Sequence, residues 1–169
     1  MSLTEIPEGS RVLLDANILL YGIRRASLQS FKLLQRCEAG SLYGTITTVI
    51  LAEIQHRRMI EEAQLQGFVS SNPARGLSGK PEIIRQLVDY ADEIRALLGG
   101  GLTIETVQPE DFFVALELQI QFGLMTNDSL NLALAKRKGI PLIATADRGF
   151  DSVKGFKIYR PTDLKSRKD

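Results

Sequence analysis

Four acids set far apart in this chain, Asp15, Glu53, Asp128 and Asp147, occupy related positions. Asp15 closes the apolar run Arg11-Val-Leu-Leu-Asp, and Asp147 closes Pro141-Leu-Ile-Ala-Thr-Ala-Asp. Asp128 opens the helical stretch leading into that second run, and Glu53 lies in the second turn of a helix following a strand-like segment. If the apolar runs are parallel strands, all four acids reach the carboxyl edge of one sheet, where open α/β sheets bind their ligands. Carboxylates sharing a small pocket repel, and their pKa values rise unless a cation neutralises them. An oxygen-only donor set of this size suits Mg²⁺ or Mn²⁺, which bind a few carboxylates together with waters and phosphate oxygens. Each acid also has a plainer reading. Asp15 and Asp147 suit turns, Asp128 suits a helix N-terminus, and Glu53 could sit on an exposed helix face. Its apolar neighbours Ile50, Leu51 and Ile54 favour the buried side.

The positioning elements follow from local pattern. Arg11 to Asp15, Leu42 to Thr47, Leu102 to Val107, Ile140 to Thr145 and Phe156 to Tyr159 read as strands. Between them, a brief helical turn spans Asn17 to Gly22. A helix over Ser27 to Ala39 sets Leu28, Phe31 and Leu34 on one face, and Thr47 or Thr48 caps a helix running to Gln66. Gly67 to Lys80 has loop chemistry and is expected to be mobile. Pro81 opens the best helical pattern, Ile84, Leu87, Ala91, Ile94 and Leu98, which ends at Gly99-Gly-Gly. Pro109 starts a helix expected to pack Phe113, Leu116 and Ile120, and Asp128 to Lys138 forms another. Strands alternating with helices predict an α/β fold, three layers deep (α/β/α), around a central parallel sheet.

Length and composition exclude several classes. The chain has 169 residues, 44% hydrophobic and 24% charged, as expected of one ordinary globular domain. No apolar run approaches the roughly 18 residues of a membrane span. The start shows no signal-peptide pattern, so a cytoplasmic protein is expected. One cysteine, Cys37, reads as a small buried hydrophobe, and one histidine, His56, as a surface or boundary residue. Neither supports a nucleophile elbow or a His-rich metal cluster. The net charge of +1 hides an asymmetry: ten basic and four acidic residues from position 136 on, eleven basic and sixteen acidic before it. A basic end can draw a polyanion locally, although Lys165 to Lys168 reads as a solvated tail. The acids have no Lys or Arg neighbour in sequence except Arg148, which follows Asp147. Arg148 is therefore the expected phosphate contact, with Arg75 and Lys80 as candidates for closing over a bound strand.

Three stretches carry a family resemblance. Leu13-Leu-Asp-Ala-Asn-Ile-Leu-Leu-Tyr, Thr48-Val-Ile-Leu-Ala-Glu53 and the long run Leu124 to Phe150, which contains Asp128 and Thr145-Ala-Asp147-Arg-Gly-Phe150, resemble the ordered acidic motifs of PIN-domain ribonucleases. The resemblance spans about 11–160, and within the family the chain looks most like the VapC-type toxins of toxin–antitoxin pairs. It implies an endoribonuclease with Asp15, Glu53, Asp128 and Asp147 as catalytic and metal-holding residues. It further implies Mg²⁺ or Mn²⁺ as cofactor, RNA as substrate, 3′-hydroxyl and 5′-phosphate products, an antitoxin partner and a homodimer. Asn17 and Thr145, each two residues from an acid, would orient a carboxylate or a water. The stretch 56–100 exceeds what a minimal toxin needs and reads as a helical insertion within a single domain over 1–169. Two other classes stay open: an aspartyl-phosphate phosphotransferase using Asp15, and a PIN-like RNA- or protein-binding module without activity. Against the first, Asp15-Ala-Asn lacks a second acid two residues on.

Overall fold

The computed structural model describes residues 1–70 and 73–164. A 3-10 turn at Leu3–Glu5 leads into β1 (Arg11–Leu14), α1 (Ala16–Ile23), α2 (Leu28–Glu38), β2 (Tyr43–Thr47) and α3 (Thr48–Leu65). Then come α4 (Pro73–Leu77), α5 (Pro81–Ile84), α6 (Asp89–Gly99), β3 (Thr103–Glu105), α7 (Pro109–Phe122) and α8 (Thr126–Arg137). β4 (Leu142–Ala144), a second 3-10 segment (Arg148–Ser152) and β5 (Lys157–Tyr159) complete the order. The tail Lys165 to Lys168 lies outside the described residues, as do Ser71 and Asn72 of the expected loop.

The five strands form one parallel sheet in the order β3-β2-β1-β4-β5, and the helices cover it to make three layers, α/β/α. β1 is central, and Val12, Leu13 and Leu14 are at most 1% exposed. A strand covered on both faces needs apolar residues at every position, which explains an unbroken Val-Leu-Leu run where alternation would serve a half-exposed strand. In β2 the glycine has a packing reason. A Cβ at Gly44 would meet Cys37 Sγ at 2.7 Å and Leu102 Cδ2 at 2.8 Å, so α2 can press onto the strand only where there is no side chain. The chain leaves β1 and β4, which are neighbours, towards opposite edges of the sheet. The crevice between their carboxyl ends is the topological switch point.

α3 serves two cores. Ile50 and Ile54 belong to the main one beneath the sheet, whereas Ala63 packs with Val69, Leu77 and Leu87 in a second, smaller cluster. That cluster gives Leu77 of α4 a burial site, so the segment expected to be loop includes a short helix.

The expected helix from Pro81 to Leu98 is two helices. Glu62 of α3 explains the break. Its carboxylate, 5% exposed, accepts the backbone N–H groups of Val88 at 2.9 Å, Asp89 at 3.2 Å and Tyr90 at 2.8 Å. Donors taken by a side chain need no helical carbonyl, so α6 starts afresh there with a tertiary cap. A register shift accompanies the break: Ile94 and Leu97 are buried and Leu98 is exposed.

α2 and α7 also turn out differently from their sequence stripes. α2 buries Ser30, Leu33 and Cys37; of its expected face Leu34 packs partly buried on the main core, Phe31 is partly buried and Leu28 is exposed. α7 buries Asp111, Ala115 and Leu118 against α8, leaving Phe112, Phe113, Leu116 and Ile120 in solvent. Both helices carry two apolar stripes, and periodicity does not say which one meets the sheet. In α7 the choice is fixed by Asp111, whose carboxylate must stay with Arg137 of α8.

Candidate functional site

Asp15 is the N-cap of α1. Its Oδ1 accepts the Ala16 N–H at 2.6 Å, and its Oδ2 accepts the Thr145 hydroxyl at 2.6 Å and the Asn17 amide. Asn17 Oδ1 in turn accepts the Ala146 N–H at 2.9 Å, so the ends of β1 and β4 are laced together by the two residues expected to support the acids. Burial raises the Asp15 carboxyl above its ordinary value; hydrogen bonds from Thr145 and Ala16 oppose this, and the Glu53 carboxylate adds to it. Asp147 is exposed and caps the 3-10 segment through the Gly149 N–H at 2.7 Å, while its own N–H donates to Thr145 Oγ1 at 3.0 Å.

The other two acids arrive on helices. Thr47 caps α3 by accepting the Ile50 N–H at 3.0 Å and donates its hydroxyl to Asn131 of α8 at 2.6 Å. This buried bond fixes the helix bearing Glu53 against the helix bearing Asp128. Asp128 lies in the first turn of α8, where the macrodipole favours an acid. Its pKa is nevertheless pushed up to about 7, first by burial and then by the carboxylates of Asp15, Asp147 and Glu53. A shift with three carboxylates among its causes places all four acids within electrostatic reach of one another.

All four line a single cleft of about 410 Å³, together with Asn17, Arg57 and the α8 entry Met125-Thr-Asn127. Oxygen donors from four carboxylates are the set that hard divalent cations take. As the side chains are oriented, no three acidic, histidine or cysteine groups among the described residues form a ready-made ion-holding cluster. The fit is therefore one of donor type and shared cleft.

Several expected residues are elsewhere. Arg148 is exposed beside Asp147 and does not line the cleft. Arg75 and Lys80 are exposed and do not line the cleft; their neighbour Leu77 packs with Ala63, roughly 15 Å along α3 from Glu53 at 1.5 Å per residue. His56 is exposed and outside the cleft. Cys37 is buried, and burial pushes its thiol up to about 11, which suits a packing role.

Three features of the site were not anticipated. Arg57, four residues after Glu53, pairs with it at 3.2 Å; the i,i+4 spacing is the signal that could have found it. Met125, 76% exposed, and Asn127 form part of the cleft wall. Arg160 braces the Asp147 turn from behind, donating to the Asp147 carbonyl at 2.5 Å and pairing with Asp151 at 2.6 Å. Nothing local in the sequence announces that contact.

The PIN domain family model matches residues 12–155. No curated protein matches the chain. Among solved structures it is similar to "VapBC2 from Rickettsia felis bound to a DNA fragment from their promoter", with TM-score 0.57 and 17% identity over 89% of this chain and 98% of that one. It is also similar to a "toxin-antitoxin complex from Klebsiella pneumoniae", with TM-score 0.53 and 16% identity over 89% and 97%. A third likeness is to PAE2754 from Pyrobaculum aerophilum, with TM-score 0.53 and 20% identity over 88% and 90%. At these identities the likeness is one of fold.

Proposed function

This chain belongs to the PIN-domain family, and from that premise we propose that it is a divalent-metal-dependent endoribonuclease, one domain over its whole length and the toxin of a toxin–antitoxin pair. The observation that carries the reading is the Asp128 carboxyl, lifted to about 7 in a cleft it shares with Asp15, Glu53 and Asp147. A cleft that drives up its own acid is short of positive charge, and a cation is the natural complement.

In this reading the four carboxylates hold Mg²⁺ or Mn²⁺. When bound, such an ion acidifies a water nucleophile and offsets the charge that builds on the phosphate. Asp15 is the pre-set member, its oxygens aimed by Thr145, Asn17 and Ala16. Asp128, whose carboxylate takes no hydrogen bond among the described residues, is the member free to adjust. Arg148 stands outside the cleft, where it would meet a flanking phosphate of an RNA strand. Arg75 and Lys80 serve only if the strand extends across α3.

The toxin assignment draws support from the fold shared with chains solved in toxin–antitoxin complexes. An antitoxin is then the protein partner, and the cytoplasm, where RNA is met, the place of action. Among the described residues no helix is long and apolar enough to cross a membrane. A homodimer is proposed on the outward stripe of α7, since Phe113 and Ile120 are 72% and 88% exposed and gain by being covered. Light scattering should report a dimer that Ile120→Glu splits; a wild-type monomer at micromolar concentration would remove it.

The deciding experiment is RNA cleavage by the purified chain across a titration of Mg²⁺ and Mn²⁺, with end-group analysis. Metal-dependent products bearing 5′-phosphates support the proposal. RNA that is bound but never cut would make the chain a binding module, and a trapped phosphoenzyme would make it a phosphotransferase.

A further inference from the structure

Arg57 is the basic residue that lines the acid cleft, and the way it is held differs from the way other arginines are held. Arg137 grips Asp111 with two bonds of 2.7 Å, and Arg58 grips Glu93 with two of 2.6 Å. Arg57 meets Glu53 through one nitrogen at 3.2 Å, the longest ion pair among the described residues, with side chains 46% and 31% exposed. A single long contact between half-exposed groups one helical turn apart is among the weakest forms an ion pair takes. It also occupies an oxygen of a carboxylate assigned above to a divalent cation.

Building on the ribonuclease reading, we infer that Arg57 is an exchangeable counter-cation: it neutralises Glu53 while the cleft is free of ions and turns to an RNA phosphate once a divalent cation claims that carboxylate. The chemistry favours the exchange at both ends. A small doubly charged cation outcompetes a guanidinium for carboxylate oxygen when several carboxylates surround it. The released guanidinium is a planar fork matched to phosphate oxygens and already stands at the cleft wall. Four carboxylates would otherwise repel the polyanion that has to enter. A residue loosely tied to one of them supplies positive charge at the mouth without blocking the ion. Arg137 and Arg58 are pinned by doubled pairs and Arg148 stands outside the cleft, so Arg57 is the one placed to do this.

Two measurements on the intact chain test the inference. Mn²⁺ alone, titrated calorimetrically without RNA, should bind Arg57→Gln about twofold to fivefold more tightly than wild type. Arg95→Gln, an exposed arginine paired with Asp92 outside the cleft, should leave that affinity unchanged. Binding of a single-stranded oligoribonucleotide in Ca²⁺, followed through a series of KCl concentrations, should weaken in Arg57→Gln, with the salt slope shallower by about 0.7 for one lost phosphate contact. Arg57→Lys, which keeps the charge, should restore the slope. Tighter Mn²⁺ binding with an unchanged slope would reduce Arg57 to a passive counterion of Glu53 and overturn the exchange. Unchanged Mn²⁺ affinity would overturn it from the other side. If wild type binds Mn²⁺ and cuts RNA but Arg57→Gln matches it in both assays, this inference alone falls. If wild type binds no Mn²⁺, the ribonuclease reading falls with it.

Discussion

α8 carries charge at both ends, and the two ends are completed to different degrees. At its C-terminal end Arg137 holds Asp111, 2% exposed, in a doubled bond and also donates to the Thr106 carbonyl, while Lys138 pairs with Glu105 at 2.6 Å. The Arg137 guanidinium keeps the Asp111 carboxyl below its usual range. At the N-terminal end, about 14 Å away at 1.5 Å per residue, Asp128 faces three other acids and is pushed up to about 7. The macrodipole favours the charge found at each end, so the helix is not the source of the difference. Partners are. At the C-terminal end the chain supplies its own complement, and at the N-terminal end, on the function proposed above, most of the complement is left to a ligand.

Substitution at the acidic end should give the largest effect. Asp15→Asn or Asp147→Asn should cut RNA cleavage by about 10²–10³-fold or more, the scale of removing one preorganised charge-stabilising group. Asp147→Asn should melt no lower than wild type, because one source of repulsion is gone, whereas Asp15→Asn also loses an acceptor that its hydrogen bonds from Ala16, Thr145 and Asn17 require. Wild-type cleavage in either would move the reaction off this rim. At the completed end the expectation reverses. Arg137→Ala strands a buried carboxylate and should cost about 2–4 kcal/mol in urea unfolding, reduced from the fully buried case because the guanidinium is partly exposed. Cleavage per folded molecule should hold.

A pH series sharpens the contrast. The Asp128 carboxyl titrates near 7 in the folded chain against an ordinary 3.8, so between those values the folded state retains a proton the unfolded state has lost. Raising the pH through that window should therefore drain stability from the ion-free protein. Asp128→Asn should recover about 1–2 kcal/mol above the window and nothing below it, a figure reduced for solvent screening of a half-exposed group. Saturating Mg²⁺ should flatten the wild-type profile. An ion-free profile that rose with pH would mean that these acids do not crowd one another. The smallest effect belongs to Lys138→Ala, about 0.2–1 kcal/mol, since its pair with Glu105 is partly exposed.

The acid-bearing frame was legible because each acid follows from local chemistry. Val12 to Leu14 must be buried, so Asp15 must emerge at the strand's end; Thr47 must cap, so Glu53 must lie a turn and a half inside α3. The ends of α2 were equally plain, with Ser27 capping and Ala39 closing. Long-range partners were not legible. Glu62 breaks the 81–98 pattern from across the second core, and no local pattern in that stretch encodes it. The outward stripe of α7 follows from the Asp111–Arg137 pair, 26 residues apart. Adjacency to Asp147 sets Arg148 on a 3-10 turn outside the cleft, whereas Arg57 comes round on the helix to the same face as Glu53 and lines the cleft.

Because α3 is shared between two cores, its amides should not exchange with deuterium as one set. Those near Ile50 and Ile54 are anchored by the sheet and should open only when the whole molecule does. Those near Ala63 depend on four buried side chains and on the Glu62 cap, and should open with α4 and α5 as a smaller cooperative unit. The boundary between slow and fast exchange would then fall close to Arg57, setting the mobile cation of the cleft at the seam between the rigid and the yielding halves of one helix.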